Sequence, residues 1–198
     1  EKEVSLPTDS YVVKRLITGM HFVDGTNIEK ALYVNERTIA KDLPGDFLDN
    51  LLLKEAYRTE SNFNEEVKVK DLEQARINLF GKNYEIIIPT DKEVGSCPVF
   101  KYNTEKRSYK RDSSECNITN DISISYDVVE ARIIENKSIT IYEAVAFIKD
   151  DKIYKKIDGS NNVSDEVKDV TTDGFNVLDN VKKLNQYKYT FTYDKDSN

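Results

Sequence analysis

Residues 122–148 read ISISYDVVEARIIENKSITIYEAVAFI, and the fold turns on how they are read. In the first arm Ile122, Ile124, Tyr126 and Val128 alternate with Ser123, Ser125 and Asp127, the period of a half-buried strand. From Val129 the apolar set becomes Val129, Ala131 and Ile133, so the phase slips by one residue. Strand side chains repeat every two residues, so a slip of one requires a β-bulge or a strand that changes packing partner midway. Strong sheet curvature follows. Glu135-Asn136-Lys137-Ser138 supplies a turn, and Ile139–Ile148 returns with apolar residues on both faces. Glu143 interrupts this return strand on the face shared by Ile141 and Val145. In a concave face it would line a pocket with Arg132 of the neighbouring strand; otherwise it forms a structural ion pair or a partly exposed carboxylate.

Downstream, Asp150-Asp151 turns the chain into Ile153–Ile157. Residues 158–174 (DGSNNVSDEVKDVTTDG) are polar and read as a solvated loop or mobile insertion. Val177, Leu178, Val181 and Leu184 restore helical spacing before a final strand at 187–193 (YKYTFTY), and Asp194–Asn198 reads as a turn opening toward a further strand. Upstream, Val99–Tyr102 and Ser108–Arg111 form the arms of a hairpin with its tip at 103–107. Ile86-Ile87-Ile88 is an apolar run stopped by Pro89.

The first 81 residues are mainly helical. Thr8 and Asp9 precede a stripe of Val12, Val13, Leu16, Ile17 and Met20, and Thr26–Glu29 has capping-box spacing ahead of Leu32 and Tyr33. Phe47, Leu48, Leu51, Leu52 and Ala56 recur every three or four residues, and Leu53 and Tyr57 widen that face. Val67 and Val69 suggest a short strand, after which Asp71 is expected to cap a helix that Gly81 ends.

At 198 residues one domain is expected, with a mainly helical half at 1–81 and a mainly β half at 82–198. The net charge of −7 opposes nonspecific attraction to nucleic acid or anionic lipid. No apolar run approaches the length of a membrane-spanning helix. The chain opens on Glu1, so a signal peptide or anchor is expected to have been removed or to lie upstream.

Cys97 and Cys116 stand at the base of the two hairpin arms, where a cross-strand disulfide would sit. Their spacing is far from C-x-x-C, and a zinc site would need two further ligands. A disulfide in turn points to export. His21 is the sole histidine and has no motif around it, so a histidine-dependent triad lacks support and His21 reads as a capping or partly buried residue. Asp194-x-Asp196-x-Asn198 matches only the first half of a calcium loop, and no phosphate-cradling glycine motif occurs. Neither metal nor cofactor is expected. Lys101, Lys106, Arg107, Lys110 and Arg111 gather about the hairpin tip with Tyr102 and Tyr109 between them, either a patch for an anionic partner or a solvated hairpin with charge-blunted edges.

Leu79-Phe80-Gly81, Gly95-Ser96-Cys97, Tyr109, Cys116, Ile139–Phe147 and Tyr187–Phe191 together resemble exported, membrane-anchored proteins of low-GC Gram-positive bacteria. That resemblance covers about residues 70–198 and implies export and one more C-terminal strand, but no activity. Helices followed by a curved antiparallel meander give an α+β fold that resembles the cone of nuclear-transport-factor-like and ketosteroid-isomerase-like domains. The function expected is that of a noncatalytic extracellular or cell-surface domain binding a protein or small ligand, attached to the membrane only through an anchor outside this chain. The alternatives are a small-molecule-binding or enzymatic cone that uses Glu143, and a purely structural ectodomain.

Overall fold

The computed structural model describes residues 2–21, 32–35, 38–42, 48–49, 51–53, 55–56, 66–82, 93, 99–112 and 121–193. Cys97, Cys116, the Thr26–Glu29 capping box, Ile86–Ile88 and Asp194–Asn198 lie outside them. The protein is α+β with open, curved antiparallel sheets. Where one domain is expected, the chain gathers into two compact units. One comprises Glu1–Thr38 and Thr119–Tyr193; the other is built on Ile39–Ile118. The N-terminal segment belongs to the unit of the large sheet, which it joins through its first strand.

That segment begins with a strand, β1 (Glu3–Leu6), in a region read as mainly helical. Helix α1 (Tyr11–Met20) follows. Strands β2 (Glu66–Lys68), β3 (Val99–Asn103) and β4 (Ser108–Asp112), with helix α2 (Val69–Phe80), belong to the second unit. The remaining strands are β5 (Ser123–Ile134), β6 (Ser138–Lys149), β7 (Lys152–Ile157), β8 (Val163–Glu166) and β9 (Asn185–Thr192).

The large sheet runs β1-β5-β6-β7-β8, with β9 also on β6. One edge of β6 pairs with β5; the other pairs with β9 over Ser138–Val145 and with β7 over Phe147–Lys149. This central position explains the unbroken apolar character of β6. Ile141, Val145 and Phe147 pack on one face, while Ala144 and Ala146 pack on the other against Ile153, Val167, Val177 and Leu184. Truncating Ile141, Phe147, Ile153 or Leu184 to alanine would cost about 2–5 kcal/mol.

The phase slip is a bulge. Val128 pairs with Glu143 and Glu130 with Tyr142, which leaves Val129 as the extra residue. The bulge keeps Val128 and Ala131 on the face that α1 covers with Val13 and Ile17. Beyond β6, Asp150 and Asp151 both take positive φ (49° and 57°), the type I′ geometry whose twist matches a two-residue hairpin.

Residues 158–174 are more ordered than expected. The Asp158 carboxylate accepts the backbone N–H groups of Ser160 and Asn162, both at 2.8 Å, and turns the chain into β8 on the edge of β7. Val167 then enters the core at 5% exposure. An edge strand with one apolar residue and three exposed polar ones leaves almost no alternation to read.

In the second unit Leu51, Leu52, Leu53 and Ala56 are all buried, as the widened helical face implies. Leu52, Leu53 and Ala56 share a core with Val67, Leu72, Ala75, Phe100 and Tyr109. Asp71 is not the cap of α2 but its third residue, accepting the Lys68 backbone N–H at 3.1 Å. Gly81 ends the helix with φ 82°, its N–H returned to Ile77 O.

Candidate functional site

Glu143 occupies the middle of β6 between Ile141 and Val145, opposite Val128 on one side and Tyr187 on the other. Its side chain is 0% exposed. An ionised carboxylate in such a place requires hydrogen bonds and a countercharge. The chain supplies hydrogen-bonding partners from distant segments.

Spacing of four along α1 carries its buried stripe from Val13 to Ile17 and on to His21, where the backbone leaves the helix. His21 is 3% exposed, and its Nε2 lies 2.6 Å from Glu143 Oε2. The other oxygen, Oε1, accepts the hydroxyls of Tyr33 at 3.2 Å and Tyr189 at 3.1 Å. The Tyr33 oxygen also stands 3.4 Å from His21 Nδ1. Tyr126 of β5 lies parallel to the imidazole with centroids 3.4 Å apart, and Tyr33 meets Tyr187 edge-on at 4.8 Å. Burial pushes the Tyr187 phenol up; a hydrogen bond with Asn185 opposes this, and the charge of Glu143 adds to it.

Arg132 stands apart from this cluster. The bulge reverses the facing of β5 after Val128, so Arg132, two residues from Glu130, points away from the face covered by α1. Its guanidinium pairs with Glu130 and, at 3.1 Å, with Glu3, which hold it further into the protonated range. The sequence offered Glu143 and Arg132 as candidate lining of one pocket; the structure gives Glu143 to His21 and Arg132 to surface carboxylates.

The basic hairpin also resolves differently from a tyrosine-bearing patch. Tyr109 is 0% exposed and Tyr102 packs on the same core, so the rings face inward. On the outer side Lys101 reaches Asp112 at 3.2 Å and Lys106 reaches Glu66 at 3.8 Å. The Ser108 hydroxyl, 2.6 Å from Glu66, holds that carboxyl below its ordinary range, assisted by Lys106, Lys68 and Lys110.

The arrangement around Glu143 is a buried cluster of one carboxylate, one imidazole and two phenols joined by hydrogen bonds. Acid–base catalysis would also need a substrate within about 3 Å of the reacting group. Both Glu143 oxygens already accept hydrogen bonds, and neither Glu143 nor His21 presents appreciable surface. Among the described residues no cluster of three or more His, Cys, Asp or Glu is placed to hold a metal ion. Sequence reasoning passed over His21 as a partner because it lies 122 residues from Glu143; the readable signal was the Val13–Ile17–His21 spacing.

No family model, curated protein or solved structure matches this chain.

Proposed function

We propose that this chain is a noncatalytic binding domain of an exported or surface protein, in which the His21–Glu143 cluster serves the fold and not a reaction. One observation carries the reading: Glu143, the buried carboxylate of the large sheet among the described residues, has its oxygens occupied by His21, Tyr33 and Tyr189. A catalytic carboxylate needs an open side toward its substrate. Val4, Tyr11 and Val12, exposed at 51%, 79% and 37% close together in sequence, add apolar surface suited to a partner protein. The cone analogy and the Cys97–Cys116 disulfide belong to the same reading.

A second reading has its own observation. Tyr126 covers the imidazole yet is 38% exposed, so a flat ligand that displaced its ring would reach the pair.

A thermal-shift and turnover screen with small carboxylates, amines, sugars and activated esters separates the two. The first reading expects neither saturable stabilisation nor turnover that Tyr126→Ala alters. A ligand whose stabilisation saturates and whose affinity changes in Tyr126→Ala would establish the second. A thiol count under denaturing conditions, on protein isolated without reductant, tests export: two free thiols would remove the disulfide and the compartment argument resting on it.

A further inference from the structure

Among the described residues the large sheet has three outer strands, β1, β8 and β9, and they differ in how they meet solvent. β1 and β8 span four residues each; Pro7 follows β1, and Asp165 takes a positive φ of 59° within β8. Short or interrupted edges of this kind resist pairing with another chain. β9 runs for eight residues without proline or glycine, in unbroken register on β6.

The ladder fixes which of its peptide groups are used. Just past its end the Tyr193 N–H reaches Lys137 O at 2.8 Å. Bonded and non-bonded pairs alternate along antiparallel strands, so Tyr187, Tyr189 and Phe191 exchange bonds with β6. Gln186, Lys188, Thr190 and Thr192 turn their N–H and C=O groups the other way. All four are exposed, and among the described residues no strand lies beyond them. Tyr189 and Phe191, on the face that α1 covers, are only half-buried. A strand laid along this edge would bond the four open peptide groups and cover the flanks of both rings.

The charge beside the edge is opposite in sign to that of the chain. The short 3-10 helix Leu178–Lys183 and β9 together hold Lys182, Lys183 and Lys188 against Asp179 alone, in a protein of net charge −7. The three lysines are exposed, and none of them has an ion pair among the described residues. The Lys188 ammonium lies 6.0 Å from the centre of the Tyr142 ring on β6, so it leans over the sheet and leaves the edge unshielded. A second copy of β9 would set lysine near lysine, whereas a carboxylate-bearing strand would meet complementary charge. We propose that the free edge of β9 takes up an extended acidic peptide as one further strand. Its main chain pairs with Gln186, Lys188, Thr190 and Thr192; its alternate side chains place apolar groups beside Tyr189 and Phe191 and carboxylates beside Lys188. This rests on the reading of the chain as a binding domain and gives that domain a class of partner.

The probe is a capped eight-residue peptide of alternating valine and glutamate, with a valine–lysine peptide as control. NMR titration of the intact protein is expected to show saturable binding of the glutamate peptide and slowed exchange at the amides of Gln186, Lys188, Thr190 and Thr192. Affinity should fall as salt is raised. Thr190→Pro removes an N–H that β6 does not use, so the sheet should persist while affinity drops about tenfold or more. Lys188→Glu should weaken the glutamate peptide and favour the lysine peptide, which tests the proposal even where the proline variant fails to fold. Absence of saturable binding, preference of the wild-type protein for the lysine peptide, or binding that Thr190→Pro leaves unchanged would overturn it. So would slow exchange at those four amides before peptide is added, the sign of an edge filled by the protein itself or by a second copy. Shifts gathered at Val4, Tyr11 and Val12 instead would overturn the β9 site and leave the binding-domain reading standing.

Discussion

β5–β6 and β3–β4 are both antiparallel hairpins in which charged residues interrupt an apolar and aromatic pattern, and they dispose of those charges in opposite ways. In β3–β4 the alternation is regular: Phe100, Tyr102 and Tyr109 go to the core, and Lys101 and Lys110 face each other on the outside beside Asp112 and Glu66. In β5–β6 a charge stands on the covered face itself, and the structure answers with His21 and two tyrosines. A central strand buried on both faces has no outer side for a carboxylate to occupy. The difference teaches that a charge in a strand pattern is informative when its neighbours two residues away are core residues, as Ile141 and Val145 are for Glu143.

Deletions should break the comparison most severely. Removing Ser125 would shift Ile122 and Ile124 to the wrong face, and the large sheet is expected to lose cooperative unfolding in urea. Removing Val129 subtracts only the bulged residue and leaves Val128 and Ala131 on the face they already share. That variant should fold, with a loss of about 1–3 kcal/mol, and equal damage from the two deletions would discredit the bulge assignment.

Next in size is the contrast between buried and surface pairs. Glu143→Ala strands His21 beneath the sheet and should cost about 3–5 kcal/mol in chemical denaturation. Arg132→Ala breaks ion pairs at the surface and should be indistinguishable from wild type. Tyr189→Phe, which withdraws one donor from Glu143 Oε1, should fall between them at about 1–2 kcal/mol.

The smallest effect belongs to the second unit. Glu66 is held low chiefly by the Ser108 hydroxyl, so Ser108→Ala should raise its titration midpoint by NMR. A depressed carboxyl contributes stability above its unfolded pKa of about 4.3 and loses it as pH falls through the folded value, so the variant should be less acid-sensitive in this respect. An unmoved Glu66 would mean that the lysines, and not Ser108, set its charge.

Much of the framework was legible because strand and helix periods are local. The β5 slip, both arms of β3–β4, the stripe of α1 and the stop at Gly81 all follow from residues within a few positions of one another. The misses share a cause as well. β1 and β8 are short edge strands, and pairing with a neighbour, not their own alternation, makes them strands. Asp71 looked like a cap because the sequence alone does not say which residue takes the first helical dihedrals; Lys68 stays extended, and Asp71 reaches back to it.

The sequence by itself determined that Glu143 shares a face of β6 with Ile141 and Val145 and that β5 changes phase beside it, since both are consequences of a two-residue repeat. Only the tertiary structure decided which groups pair with that carboxylate. Arg132 was the nearer candidate in sequence, yet the bulge turns it to the surface, while α1 lays His21 against the sheet from 122 residues away. The physical reason is that period is a property of the local backbone, whereas the partner of a buried charge is chosen by whichever segments pack over it.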